Sequence, residues 1–365
     1  MKIKRLIQTY SKQLTERYGS QLLPAHRKAL DAMLACRSRC GEFYTHCDSC
    51  DRQAVIPLSC GHRSCPQCQH HLGERWQQKQ QQKLLPVTYF MVTFTLPYEL
   101  RDTAWRHQKI VYELLFKASV EALQTIGKNN FSLKFGMTCV LHTHKRDKGY
   151  HPHVHIVLPG GGLKTDDHRQ AWQPLPQDFL INEFALATVF RGIFLRMLFD
   201  QSIATPYGLP SKWVTNIKNV GQGEDAYKYL SRYLYRGVIS ENDILSDRQG
   251  EVTFRYQDSK TRKMTPKTQK AEDFLWALLK HVLPCGFRRI RDYGFLHGNA
   301  HKTLKRIQLM LHVSLPNKKI HKKKMSCPEC QTEMTVLLVL PKRIPMQFRF
   351  YQVREKDRPI ILAPS

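Results

Sequence analysis

The chain has 365 residues, a length that suggests two or three folded units. Its 57 Lys and Arg residues outnumber 30 Asp and Glu residues, which gives a formal net charge of +27. No apolar run approaches the roughly 18 residues that a membrane-spanning helix needs, and the first residues lack the apolar core of a signal peptide. The sequence therefore excludes a membrane-spanning protein and predicts a cytoplasmic protein with a polyanionic partner.

The first 85 residues are predicted to be helical at both ends. Apolar residues recur every four positions from Leu6 to Tyr18, which predicts that residues 1–35 are helical. A Gln- and Lys-rich helix is expected over Glu74–Leu85 and must end before Pro86, because the residue before a proline disfavours helical backbone. Pro86 therefore marks the first predicted domain boundary.

Cysteine pairs between these helices indicate zinc. Cys47-x-x-Cys50 and Cys65-x-x-Cys68 are two knuckles separated by fourteen residues, a spacing that lets four thiolates meet on one ion. Four thiolates close the coordination sphere, so we predict a structural zinc rather than a catalytic one. Neighbouring residues suffice for a second site, but one ion is our prediction; these neighbours are Cys36, Cys40, His46, Cys60, His62, His70 and His71.

The central part of the chain alternates between strand-like and helix-like segments. Strands are predicted where β-branched and aromatic residues cluster, at Val87–Pro97, Leu133–Leu141, His151–Leu158 and Glu251–Gln257. Helices are predicted at Thr103–Ile126, Phe179–Phe199, Glu224–Arg236 and Ala271–Val282. The charged residues 145–149 between the second and third strands predict a hairpin turn.

The strand His151–Leu158 carries a candidate metal site. His153 and His155 are two residues apart, so both imidazoles lie on one face of the strand while Val154 and Ile156 lie on the other. A strand histidine is more often structural, but His142 and His144 lie close by in the predicted hairpin and favour metal binding. A two-imidazole site leaves coordination positions open, and such a site can polarise a phosphate oxygen.

The helix Glu224–Arg236 carries candidate nucleophiles. Tyr229 and Tyr233 are four residues apart, so their hydroxyl groups lie on the same face of a helix. Arg232 and Arg236 add positive charge beside them, and we predict that both bind DNA. An aromatic stripe packed in a core is the alternative, and the basic residues at most polar positions count against it.

The carboxy-terminal region is strongly basic. Eleven Lys and Arg residues and a single acid lie between Gly286 and Ser326, and we predict that Arg288, Arg289 and Arg291 bind DNA. Cys327-x-x-Cys330 is a single knuckle without a second pair downstream. Two interpretations remain for it: half of a zinc ribbon completed elsewhere in the chain, or a simple turn.

Taken together, these motifs resemble those of rolling-circle HUH transposases of bacterial insertion sequences, the two-tyrosine type that carries an amino-terminal zinc-binding domain. The resemblance spans most of the chain. The motifs that carry it are the two knuckles named above, Phe94-Thr-Leu-Pro97, Leu141-His-Thr143, His151-Pro-His-Val-His155 with Gly160-Gly-Gly162, Tyr229-Leu-Ser-Arg-Tyr233, and the segment Gly286–Phe295.

The resemblance implies a mechanism and a cofactor. It implies that His153 and His155 bind Mg²⁺ or Mn²⁺ with a third ligand from the neighbouring strand, for which we predict His142, with His144 as second choice. Tyr229 and Tyr233 are implied as nucleophiles that nick single-stranded DNA at transposon ends and targets. Attack by a tyrosine yields a 5′-phosphotyrosine and a free 3′-OH, and a nucleoid-associated bacterial protein is expected.

The predicted fold is α+β, with an antiparallel sheet flanked by helices, an amino-terminal zinc ribbon and a basic carboxy-terminal region. We predict a helical and zinc-binding domain at 1–85, a catalytic domain at 86–300 and a basic region at 301–365. Two alternative functions remain: a plasmid replication initiator or relaxase with the same chemistry, and a non-catalytic zinc-ribbon DNA-binding regulator.

Overall fold

The computed structural model describes residues 2–68, 70–145, 147–164, 171–176, 181–234, 238–258, 261, 263–313 and 325–341, with the backbone alone at residues 70, 71 and 232–234. Within these ranges the helices are α1 (Lys2–Tyr18), α2 (Pro24–Ala35), α3 (His70–Gln81), α4 (Arg101–Arg106), α5 (Gln108–Phe131), α6 (Glu183–Asp200), α7 (Glu224–Leu234), α8 (Ala271–Leu279) and α9 (His301–Met310). None of these described helices is long and apolar enough to cross a membrane.

The strands of the same ranges are β1 (Gly41–His46), β2 (Gln53–Pro57), β3 (Tyr89–Thr95), β4 (Leu133–Lys134), β5 (Met137–His144), β6 (Tyr150–Pro159), β7 (Gly161–Lys164), β8 (Trp172–Pro174), β9 (Thr215–Asn219), β10 (Ile244–Arg248), β11 (Glu251–Gln257), β12 (Met264–Lys270), β13 (Ile290–Tyr293) and β14 (Thr335–Pro341). They form a five-stranded sheet in the order β13-β5-β6-β3-β9, and three-stranded sheets in the orders β14-β1-β2, β10-β11-β12 and β4-β7-β8. Every pairing between these described strands is antiparallel.

The central sheet lies between two helical layers because its strands are apolar on both faces. On one face, alternate residues such as Phe94, Val154 and Ile156 are fully buried against α5 and α6 and form the largest core. Each such side chain contributes roughly 1.5–3 kcal/mol to folding. On the other face, Val157 packs beneath α7, against Tyr227 and its neighbours. The predicted fold class, an antiparallel sheet flanked by helices, is confirmed.

The glycine run that follows β6 is explained by close backbone approach. A Cβ atom on Gly160 would lie 2.8 Å from the carbonyl oxygen of Thr88, and one on Gly162 would lie 2.8 Å from the carbonyl oxygen of Lys134. No side chain fits at such distances. Glycine at these positions therefore lets the chain leave the central sheet and enter the small sheet of β4, β7 and β8.

The three predicted domains remain a prediction, and contacts cross both of their boundaries. Leu6 and Ile7 of α1 share a core with Phe274 and Leu275 of α8, far beyond residue 85. In the carboxy-terminal region, Ile307 of α9 packs in one cluster with Leu85 and Phe295, and β14 pairs with β1. The amino-terminal unit is thus completed by segments from the second half of the chain.

Several predicted elements differ in extent from the observed ones. The predicted helix over Thr103–Ile126 is two helices, with a break at His107, whose φ of −119° and ψ of 41° are not helical. The helix predicted over Glu224–Arg236 is observed to Leu234, and residues 235–237 lie outside the described ranges. Several strands were not predicted at all; these are β1, β2, β7, β8, β9, β10, β12, β13 and β14.

Candidate active site and metal clusters

Three histidines meet on the α7 side of the central sheet. β5 and β6 form an antiparallel hairpin in which His142 is directly opposite His153, and His155 follows two residues later on the same face. The ring centroids lie 4.6 Å apart for His142 and His155 and 4.9 Å apart for His153 and His155. One ring nitrogen of each histidine lies within 4.8 Å of the others. His144, the second choice for the third ligand, is not in this cluster.

Hydrogen bonds orient two of these rings toward a common point. Nδ1 of His153 lies 2.7 Å from the carbonyl oxygen of His151, to which it can only donate. Nδ1 of His155 lies 2.9 Å from the hydroxyl oxygen of Thr93, on the adjacent strand. Partners of this kind fix the ring orientation of metal-binding histidines. In His153 the donating Nδ1 leaves Nε2 as the nitrogen with a free electron pair.

Burial keeps the three imidazoles neutral. Desolvation lowers the pKa of His142 and of His155 well below the ordinary value, and the neighbouring histidines lower it further. Desolvation also lowers the pKa of His153. A neutral imidazole is the form that binds a metal ion, so the cluster is prepared for binding at neutral pH.

The helix α7 brings one of the two predicted nucleophiles to this cluster. Tyr227 and Leu230 bury their side chains against the sheet, and Tyr229, turned away from them, is 39% exposed. The ring of Tyr229 lies edge-on to the ring of His155, with 6.2 Å between their centroids. The side chains of Tyr233 and Arg232, and all of Arg236, lie outside the described part of the structure.

The cysteines form two clusters, and neither is the one predicted. One cluster is Cys36, Cys60, Cys65 and Cys68, and the other is Cys47, Cys50, Cys327 and Cys330. Within each cluster, the four sulfur atoms lie within 4.8 Å of one another. The prediction that Cys47, Cys50, Cys65 and Cys68 share one ion is therefore wrong. Spacing alone paired the two nearest knuckles, whereas strand pairing between β1 and β14 joins the first knuckle to the carboxy-terminal one.

The chain matches two family descriptions. A putative transposase family matches residues 136–303, and a transposase zinc-binding domain of the IS91 type matches residues 5–96. The chain is 32% identical over 335 residues to a putative transposase, y4qJ, of Sinorhizobium fredii, covering 82% of this chain and 83% of that relative. The chain belongs to this transposase family. The resemblance to rolling-circle transposases with a zinc-binding domain is thereby confirmed.

The chain is also similar to a second transposase and to one solved structure. The transposase is 27% identical over 287 residues to the transposase for insertion sequence element IS801 of Pseudomonas savastanoi pv. phaseolicola, covering 72% of this chain and 68% of that one. A solved structure of TrwC, complexed with a 27-mer DNA comprising the recognition hairpin and the cleavage site, is 12% identical and covers 62% of this chain and 74% of that chain. The TM-score of this superposition is 0.26.

Of the five arginines predicted to bind DNA, the three that follow Gly286 differ in their surroundings. Arg291 of the transposase forms a bidentate ion pair with Glu113, both bonds being 2.5 Å, and its guanidinium lies 4.4 Å from the ring centre of Phe116. These contacts hold the Arg291 guanidinium in the fold, and its assignment to DNA binding stays a prediction. Arg288 is exposed, and the backbone carbonyl of Arg289 accepts a hydrogen bond from Leu141, next to His142.

A basic cleft that sequence reasoning missed lies beside the histidine cluster of the transposase. Arg288 and Arg289 line it together with Lys28 and Arg63, which come from α2 and from the loop before α3. Nothing in the spacing of Lys28 or Arg63 distinguishes them from other surface cations. Their position depends on the packing of the amino-terminal helices against the central unit, which a local pattern does not reveal. The basic residues at 318, 319 and 322–324 lie outside the described ranges.

Proposed function

We propose that this transposase nicks and rejoins single-stranded DNA at the ends of its insertion sequence, with the hydroxyl of Tyr229 as the attacking group. The observation that carries the proposal is the approach of the Tyr229 ring to within 6.2 Å of the His155 ring, centroid to centroid. The two residues are distant in sequence and come from different elements. Their approach would let one phosphodiester meet both a phenol and a metal site.

The donor set fits a divalent cation. Three neutral imidazoles with their ligand nitrogens within 4.8 Å of one another hold one ion and leave its other positions open. When bound, Mg²⁺ or Mn²⁺ would polarise a phosphate oxygen and neutralise charge that develops during attack. Mg²⁺ prefers oxygen ligands, and transition-metal ions bind imidazole nitrogen more readily than Mg²⁺ does. Of the two ions, the all-nitrogen protein ligand set therefore favours Mn²⁺.

The protein's own residues carry the remaining steps. Thr93 and the carbonyl of His151 orient the imidazoles, so the site is formed before DNA arrives. The Tyr229 oxygen attacks phosphorus and the bond to the 3′ oxygen breaks, giving a 5′-phosphotyrosine; the phenol proton ends on the departing 3′-OH. The reverse reaction with the 3′-OH of another strand rejoins DNA without ATP. Tyr233 is proposed to provide a second linkage.

The basic cleft supplies binding that is independent of DNA sequence. Arg288 and Arg289 from the predicted set, together with Lys28 and Arg63, form a positive surface next to the strand that carries His142. Cations in such a cleft bind phosphates and raise the local concentration of DNA. We propose that the single strand runs through this cleft to Tyr229, and that this binding keeps the protein at the nucleoid.

The test is covalent capture of DNA by the full chain. Single-stranded oligonucleotides from both ends of its own element are incubated with the protein and Mn²⁺, and adducts that survive denaturation are measured on gels. We expect an adduct on the 5′ phosphate with the native chain. The Tyr229→Phe variant should lose one linkage, and the double variant Tyr229→Phe, Tyr233→Phe should form none.

The matched control is Tyr227→Phe. Tyr227 lies on the same helix, but its ring is 1% exposed and its hydroxyl is 3.5 Å from that of Thr138. Its variant should form the adduct at the native rate. An adduct that persists in the double variant would show that other residues are the nucleophiles. Absence of any adduct with native protein and either cation would favour a regulator over a nicking enzyme.

A further inference from the structure

Four cysteines from opposite ends of the chain form a cluster that the zinc-binding family match does not contain. That match ends at residue 96, so it includes Cys47 and Cys50 but not Cys327 and Cys330. We propose that these four cysteines bind a second structural zinc ion, which fastens the carboxy-terminal strand β14 to the amino-terminal sheet. This inference does not depend on the proposed nicking reaction.

The two knuckles have the same backbone structure. The amide of Cys47 donates to the carbonyl of Arg52 at 2.9 Å, and the amide of Cys327 donates to that of Thr332 at 2.8 Å. The residue that follows each second cysteine has left-handed backbone, with φ of 57° at Asp51 and 61° at Gln331. Two turns of identical design face each other, as in the two halves of a zinc ribbon.

The framing strands repeat the same pattern. His46 pairs with Gln53 around the first knuckle, and Ser326 pairs with Glu333 around the second. In both cases the paired residues lie one before the first cysteine and six after it. Because the whole segment repeats and not only the cysteine spacing, the carboxy-terminal pair is a knuckle and not a simple turn.

The sulfur separations fit a tetrahedron around one ion. Cys47 and Cys330 have their sulfur atoms 3.4 Å apart, and those of Cys50 and Cys327 are 3.6 Å apart. Zinc–sulfur bonds of about 2.3 Å in a tetrahedron place sulfur atoms about 3.8 Å apart. A disulfide needs about 2.05 Å. The cluster is therefore suited to metal and not to disulfide bonds.

Contacts around the cluster hold the two knuckles together. Met334 is buried in one small cluster with Cys47 and Cys327. Around it, the hydroxyl of Thr335 donates to the carboxylate of Asp48 at 3.0 Å, and Arg52 pairs with Glu329. Four thiolates leave no coordination position open for water, so the ion would be structural. It closes a loop of about 280 residues, since Cys50 and Cys327 are 277 positions apart.

The first experiment counts zinc in the full chain. His153→Ala and His155→Ala are introduced as a background, so that zinc at the histidine cluster does not contribute. We expect about two zinc ions per chain by elemental analysis, and one after Cys327→Ser with Cys330→Ser. Cys285→Ser is the matched control, because Cys285 is exposed and lies in neither cluster, and it should keep two.

A cobalt measurement identifies the ligands of the lost ion. After exchange with Co²⁺, thiolate-to-metal charge-transfer absorption should fall by about half in the Cys327→Ser, Cys330→Ser variant and stay unchanged in Cys285→Ser. Native zinc content and native absorption in the double cysteine variant would overturn the proposal.

A second measurement covers the case in which the double variant fails to fold. A site-specific protease sequence is inserted between Val313 and Met325 of the otherwise native chain, and the chain is cut after folding. The carboxy-terminal piece should co-purify with the rest until a strong chelator is added, and should then separate. Separation before chelation, or retention after zinc has been removed, would show that no metal fastens this strand.

Discussion

The histidine cluster and the two cysteine clusters are assembled in opposite ways. His142, His153 and His155 come from one hairpin, so strand alternation and a short turn bring them together. One cysteine cluster combines Cys36, at the end of α2, with three cysteines from residues 60–68. The other combines Cys47 and Cys50 with a knuckle about 280 residues later in the chain. The histidine cluster can therefore be predicted from local sequence, while the cysteine clusters, which depend on the pairing of distant segments, cannot.

The largest expected effect, on DNA nicking, follows from removing residues of the histidine cluster. His153→Ala with His155→Ala removes two of three ligands, so DNA nicking should fall by about 10³-fold or more. Zinc bound by thiolates and the thermal midpoint should stay close to native values. His301→Ala, at the exposed start of α9, is the control. Nicking within tenfold of the native rate in the double variant would contradict the assignment.

Two neighbouring cysteines, one inside a cluster and one outside both clusters, test the role of the cysteine clusters. Cys36→Ser removes a buried ligand from a cluster inside the amino-terminal core, and we expect a loss of ~4 kcal/mol in the free energy of unfolding with about one zinc fewer per chain. Cys40→Ser is the control, since Cys40 donates to the carbonyl of Ala35 and lies in neither cluster. Denaturant unfolding measures both. Equal losses of stability and of zinc in the two variants would mean that Cys36 contributes only packing and no metal ligand.

A buried histidine outside the metal clusters should make the fold sensitive to acid. His281 lies between the hydroxyl of Thr143 and the carbonyl of Lys148, and burial lowers its pKa to about 4. The unfolded chain, with an ordinary pKa near 6.5, takes up the proton first. Stability contributed by neutral His281 is thus present above pH 6.5 and lost as pH falls toward 4, by up to about 3 kcal/mol.

The measurement is unfolding free energy at several pH values for His281→Gln. Relative to the native chain, this variant should lose less stability between pH 6.5 and pH 4. His107→Gln, at an exposed position between α4 and α5, should keep the native dependence. The same pH slope in all three chains would rule out a neutral, buried His281.

The smallest effect concerns the residue that orients His155. Thr93→Val keeps the shape of the side chain but removes the hydrogen bond to Nδ1, so Mn²⁺ affinity should weaken about 10–100-fold. Titration followed by electron paramagnetic resonance measures it. Thr253→Val, on the exposed side of β11, is the control. Unchanged affinity in Thr93→Val would mean that the hairpin alone sets the ring geometry.

Local patterns explain which parts of the fold were predictable. β11 was predicted with its observed bounds, Glu251–Gln257, and β6 extends the predicted His151–Leu158 by one residue at each end. β11 shows the alternation of a half-buried strand, whereas β6 is buried on both faces from Val154 onward and carries the β-branched residues that favour strands. The edge strand β12, which pairs with β11, was not predicted, because Met264–Lys270 is largely exposed and polar and contains Pro266.

The site was predictable to the same degree. The hairpin placed His142 close to His153, but their direct opposition depends on a register shift between His142 and His144 that the sequence did not predict. Thr93 could have been found, because it lies on the site face of the next strand, but only once β3 was known to pair with β6. The cleft residues Lys28 and Arg63 depend on packing between distant segments and left no signal.

The pairing of β14 with β1 also has a consequence for the order of events at the ribosome. The first knuckle is synthesised about 280 residues before its partner, which at 5–20 residues per second is a delay of roughly 15 to 60 s. During that time Cys47 and Cys50 have no partner knuckle. A polypeptide that ends before residue 327 would lack both β14 and the second knuckle, so its amino-terminal sheet would stay incomplete.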